Sequence, residues 1–103
     1  GTSEYSNVVE VAFGVVSEFA LDQNYPNPFN PSTTIKYSIK EKSNVELKIY
    51  DLLGSEIAAL VNEEKAPGNY DVSFDASSLS SGVYLYTIKA GGFVQTRKML
   101  LMK

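Results

Sequence analysis

The chain of 103 residues contains no cysteine, no histidine and no tryptophan. Without cysteine it has no disulfide framework, no thiol chemistry and no Cys-ligated zinc. Without histidine it also lacks the commonest general base and the commonest metal ligand. The missing cysteine is explained by chance in a short domain, or by passage through an oxidising periplasm where stray disulfides are a hazard; composition does not choose between the two. A basic excess is lacking as well: 9 Lys and Arg stand against 12 Asp and Glu, a net charge of −3. That balance excludes the basic stripe of a nucleic-acid module and attraction to anionic lipid. No apolar run approaches the about 18 residues of a membrane-spanning helix. Gly1-Thr2-Ser3-Glu4 has neither the basic start nor the apolar core of a signal peptide and is expected to be a linker or an expression remnant. Any export address then lies upstream or in the domain itself.

What is present is a folding composition. Hydrophobic residues make up 44% of the chain, with seven tyrosines and five phenylalanines, which excludes intrinsic disorder. A chain this long forms one domain and buries roughly 60–65% of its unfolded surface, so it needs no metal or disulfide to fold. The dominant hydrophobic period is two. Ile35, Tyr37 and Ile39 alternate with Lys36, Ser38 and Lys40; Val45–Tyr50 and Tyr70–Asp75 repeat the pattern. Such segments have one dry and one wet face, as half-buried antiparallel strands do. The expected core therefore includes Ile35, Tyr37, Ile39, Leu47, Ile49, Val72 and Phe74.

Turn residues fall between these runs. Asp51-Leu52-Leu53-Gly54 reads as a turn closed by a glycine with positive φ, leading to a strand near Glu56–Asn62. Ala66-Pro67-Gly68-Asn69 places Pro and Gly where a type II turn wants them. Ser77–Gly82 is a polar crossover with Leu79 tucked beneath it, and Gly91-Gly92 joins Val83–Ala90 to Phe93–Leu101 as a hairpin. Ile57–Val61 would suit a helical turn, but its short length between turns favours a strand. Short strands at this spacing predict an all-β, immunoglobulin-like antiparallel sandwich of about seven strands.

Two segments break the rhythm. Val8–Val16 is β-prone, with Val9, Val11, Phe13 and Val15 on one face; residues 1–18 are expected to be a linker, an additional N-terminal strand, or the last strand of an upstream domain. Leu21–Ser32 carries Pro26, Pro28 and Pro31, which remove three backbone donors and push Tyr25, Asn27 and Asn30 toward extended conformations. It is expected to be a stiff strap, with Tyr25 and Phe29 plugging the open end of the sandwich. The alternative, a PxxP ligand in Pro28-Phe29-Asn30-Pro31, lacks an adjoining basic anchor.

Five motifs occur in order: Leu21-Asp22-Gln23-Asn24-Tyr25-Pro26-Asn27-Pro28-Phe29-Asn30-Pro31, Tyr50-Asp51-Leu52-Leu53-Gly54, Pro67-Gly68-Asn69-Tyr70, Leu79-Ser80-Ser81-Gly82-Val83-Tyr84 and Lys98-Met99-Leu100-Leu101-Met102-Lys103. Together, over about residues 19–103, they resemble the type A C-terminal sorting domain of the type IX (Por) secretion system, itself similar to the immunoglobulin-like domain of flagellar hook-capping proteins. The resemblance implies a non-catalytic module that directs an upstream cargo domain of the same chain across the outer membrane to the cell surface. The implied partners are the outer-membrane secretion translocon and a cell-surface sortase that cuts upstream of the domain.

No metal, cofactor, nucleic acid or small-molecule substrate is expected. Asp71, Ser73 and Asp75 share a strand face, but alternate carboxylates lie about 7 Å apart along a strand, and a solvated face is the simpler account. Tyr50, Tyr70, Tyr84 and Tyr86 would suit a sugar platform, although tyrosines in sandwiches usually pack. Serine without histidine or lysine activation is no nucleophile. Of Met99, Leu100, Leu101 and Met102, alternation buries only two; the outward pair, with Lys98 and Lys103, are the recognition candidates. The alternatives to sorting are a carbohydrate-binding or adhesion module appended to a secreted enzyme, and a structural piece.

Overall fold

The structure, a computed structural model, describes residues 18–103; the strand expected over Val8–Val16 lies outside the described residues. Seven strands form among them: β1 (Ala20–Leu21), β2 (Ser32–Ile39), β3 (Ser43–Tyr50), β4 (Glu56–Lys65), β5 (Gly68–Asp75), β6 (Gly82–Ala90) and β7 (Phe93–Leu101). They make two antiparallel sheets, ordered β1-β2-β5 and β4-β3-β6-β7. The apolar faces of the sheets meet in one core, where Ile35, Tyr37 and Ile39 of β2 share a cluster with Val45, Leu47 and Ile49 of β3 and Tyr86 and Ile88 of β6. The period-two reading is thus sufficient to place most of the core. Val72 is the exception, only half-buried at the open margin of β5, because β5 is the last strand of its sheet and has a neighbour, β2, on one side alone.

β4 is a strand, longer than expected, and it is the irregular one. Its pairing with β3 slips between Leu47 and Lys48 and again between Ile49 and Tyr50. Bulges of this kind add a residue and break strict alternation, which is why Ile57–Val61 carries no clean period. The corner at Pro67-Gly68 also differs from expectation. Gly68 has a φ of 155°, far from the roughly +80° of a type II turn, and the chain there leaves the four-stranded sheet for the three-stranded one. The corner opens the chain out instead of reversing it, at a φ that residues other than glycine rarely adopt. Ser77–Gly82 carries the chain back, with Leu79 packed against the core beneath it, and the hydroxyl of Tyr84 donates to the Ser80 carbonyl at 2.7 Å.

The β3–β4 turn is closed as its sequence suggests. The Asp51 carboxylate accepts the N–H groups of Leu53 and Ser55 at 2.9 Å each, and Gly54 sits at φ 88°. A Cβ built on Gly54 meets nothing within 4 Å, so the cost of a side chain there is purely that of the backbone. Gly54→Ala is expected to cost about 1 kcal/mol, a fall in Tm of roughly 4–8 °C. An unchanged Tm would show that the turn relaxes out of the left-handed region.

Candidate functional site

The strap and the end of β7 form one hydrogen-bonded unit. Phe29 pairs with Leu101 as an isolated parallel bridge; its N–H donates to the Leu100 carbonyl at 2.9 Å and its carbonyl accepts from Met102 N–H at 3.0 Å. Asn27 Oδ1 accepts the Leu100 N–H at 3.0 Å, and Gln23 Nε2 donates to the Lys98 carbonyl at 2.7 Å. Further along, Arg97 Nε donates to the Leu21 carbonyl at 2.6 Å. The side chain of Phe29 is 1% exposed and closes the sandwich, as expected. Tyr25 does not help it. With 80% of its surface exposed, Tyr25 points away, because its backbone pairs with Thr34 through two hydrogen bonds of 2.9 Å and so extends the wet margin of β1. Pro26, Pro28 and Pro31 lie exposed along the strap; the Pro31 carbonyl accepts from Ala76 N–H at 2.8 Å.

A small polar network anchors the strap from inside, and sequence reasoning overlooked it. Asn24 is buried, yet every polar group of its side chain is satisfied: Oδ1 accepts from Gln23 Nε2 at 2.6 Å, and Nδ2 reaches the Pro26 carbonyl at 3.1 Å and Thr33 Oγ1 at 3.0 Å. Thr33 in turn donates to the Pro26 carbonyl at 2.9 Å. The phenol of Tyr86, on the opposite sheet, donates to the Asp22 carbonyl at 2.7 Å and accepts from Asn24 N–H at 2.8 Å. Burial raises the Tyr86 pKa above its ordinary 10.0, opposed by the Asn24 N–H and the Arg97 charge. The one available signal was a tyrosine at an inward position of β6, since a buried phenol needs a partner.

The recognition candidates divide as alternation requires. Met99 and Leu101 are core, Leu100 is half-buried on the outer face, and Lys98, Met102 and Lys103 are exposed. Lys103 is tied down: its backbone N–H donates to Ser81 Oγ at 3.0 Å and its ammonium to the Ser77 carbonyl at 2.6 Å. These residues, Gly82 (opposite Leu101) and the Asp51–Gly54 turn lie at the same end of the four-stranded sheet, because Tyr50 pairs with Leu85 and Gly82 with Leu101. Pro67 and Gly68 are elsewhere, at the corner between β4 and β5. The tyrosines form no sugar platform: Tyr84 and Tyr86 are core, and Tyr70 stacks on Tyr37 with ring centroids 5.5 Å apart. Among the described residues, no three His, Cys, Asp or Glu side chains gather as metal ligands would.

The described residues thus form a β-sandwich closed by a proline-rich strap, with the end of β7 clamped by that strap. The family of secretion-system C-terminal sorting domains matches residues 23–102, and the chain belongs to it. It is a non-catalytic sorting domain of the type IX, or Por, secretion system, which directs the secretion of its cargo. Among solved structures the chain is similar to dimeric latent PorU from Porphyromonas gingivalis, at 19% identity and a TM-score of 0.59, over 84% of this chain and 10% of that one. The likeness shows the fold alone, and the chain spans about a tenth of the PorU chain's length. No curated protein matches the chain.

Proposed function

We propose that residues 19–103 are an export module, read as a folded unit by the outer-membrane translocon and removed by a cell-surface sortase cutting upstream, so that the cargo ends on the cell surface or outside. The observation that carries this reading is the clamp between the strap and the end of β7. Hydrogen bonds from Gln23, Asn27 and Phe29 join the start of the domain to its last strand, so cargo can be cut away upstream of residue 19 without disturbing the core.

The test is a fusion of residues 19–103 behind a neutral periplasmic reporter, in a host with and without the type IX machinery. Surface reporter is expected only where the machinery is present, and in the form cut free of the domain only where the sortase is present. Reporter retained in the periplasm of the competent host overturns the reading.

A further inference from the structure

The outer face of the four-stranded sheet is not uniformly wet. A one-sided antiparallel sheet alternates apolar and polar, whereas strands covered on both faces read as continuous apolar runs. β6 and β7 read as such runs at one end only, in Val83-Tyr84-Leu85-Tyr86 and Met99-Leu100-Leu101. With Tyr84, Tyr86, Met99 and Leu101 committed to the core, Val83, Leu85 and Leu100 are left on the opposite face. Val83 lies directly across from Leu100, and Leu85 lies between Tyr50 and Lys98. All four apolar residues are half-buried against one another and none belongs to the core cluster. The patch continues onto the end of the sheet through Leu52 and Leu53, 65% and 91% exposed, and Met102, 55% exposed. The far half of the same face is ordinary: Lys48 pairs with Glu56 at 3.3 Å and Glu46 at 4.0 Å, beside Thr87 and Lys89. Isolated surface leucines need no explanation, but a contiguous patch does. Nor is the leucine tip loose, since the Asp51 carboxylate holds the turn that presents it.

We propose that this half-face, centred on Tyr50, Val83, Leu85 and Leu100, is the surface by which the domain docks on a protein of the export machinery, one that offers an apolar patch with a carboxylate opposite Lys98. The proposal rests on the sorting function and names the surface that serves it. Two arguments select this occupant. Three strands about 4.8 Å apart, over roughly three residues of each, span only roughly 150 Å², against the roughly 800 Å² per partner of a stable complex. That area suits a transient hand-over and not a permanent dimer. Charge gives the second. Lys98 is exposed at the margin of the patch, and among the described residues no carboxylate lies within ion-pair distance of it, so a partner's carboxylate would meet an unspent ammonium. A depression of about 210 Å³ between Asn27, Val83, Lys98 and Leu100 offers that carboxylate's side chain a seat.

The experiment uses the whole chain fused to the periplasmic reporter. Val83→Thr with Leu85→Thr keeps β-branched or strand-compatible residues while removing the apolar surface, and Lys98→Glu reverses the charge at an exposed site where folding is indifferent. Both variants are expected to melt like the wild type and to lower the surface-to-periplasm ratio at least tenfold for the pair and several-fold for Lys98→Glu. Thr87→Ser with Lys89→Gln, on the far half of the face, should export normally. If the threonine pair fails to fold, Lys98→Glu alone decides. Normal export of a folded patch variant overturns the proposal, as does sedimentation showing a dimer of the purified chain that the same changes abolish, which would give the face to a second copy. A wild-type fusion that stays in the periplasm would instead bring down the sorting assignment of residues 19–103 on which the proposal rests.

Discussion

Phe29→Ala is expected to lower the unfolding free energy by about 3–5 kcal/mol, the range for truncating an enclosed phenylalanine. The side chain is 1% exposed, and it is held from both sides by backbone bonds to Leu100 and Met102. Those bonds do not involve the phenyl ring, so the strap stays in place when the ring is removed and cannot collapse to fill the space. The cavity term is therefore close to its full size. Denaturant melts of wild type and variant, compared at equal slope, read the change directly. A midpoint shift equivalent to less than about 1 kcal/mol would mean that the strap peels away and the sandwich closes without it.

Tyr86→Phe tests the polar half of the same closure and is expected to cost about 1–3 kcal/mol. The ring is core and stays core; only the hydroxyl is lost. Its loss leaves the Asn24 N–H and the Asp22 carbonyl without their partner at the base of the strap, and an orphaned buried donor costs more than a hydrogen bond contributes. The variant also has a pH signature. Burial raises the pKa of Tyr86, and likewise of Tyr37, above the ordinary 10.0. A group whose folded pKa is raised contributes stability that is complete below its unfolded pKa and lost as pH rises through the folded value. Wild-type stability should accordingly fall as pH climbs above 10, and Tyr86→Phe should make that fall shallower. An equally steep alkaline fall in the variant would assign the loss to the other groups whose pKa the fold raises, Tyr37, Lys48 and Lys65.

How far the sequence reveals this molecule depends on which physical rule governs each segment. Alternation is local and strong in β2 and β3, so Ile35, Ile39, Leu47 and Ile49 could be placed in the core from their spacing. Glycine with positive φ is equally local, and Gly54 is where its turn required it. Alternation failed at β4, where bulges reset the period; at Val72 it gave the inward side correctly, and only the depth of burial depends on how many strands flank β5. Tyr25 shows a further limit. A large aromatic in a rigid segment suggests a plug, but which of Tyr25 and Phe29 turns inward depends on whether the backbone pairs with nearby Thr34 or with Leu101, a partner distant in sequence. The Asn24, Thr33 and Tyr86 network was hidden for the same reason: asparagine in a proline-rich stretch reads as a turn former until a phenol from the other sheet is known to lie beneath it. The apolar half-face was visible in Val83 and Leu85 all along, but only the register shows that they adjoin Tyr50 and Leu100.

The clamp on β7 also bears on solubility. A terminal strand of a sheet exposes a row of amides and carbonyls that invites another chain to pair with it, the usual start of edge-to-edge aggregation. On the outer side of β7 the carbonyls of Lys98 and Leu100 and the N–H groups of Leu100 and Met102 are all taken, by Gln23, Asn27 and Phe29. The most apolar stretch of the strand is thus the one sealed against growth. Two of the three sealing residues act through their backbone or a short amide, so the seal is complete as soon as the strap is laid down. Wherever copies of the domain crowd together, that edge carries its own protection against pairing with its neighbours.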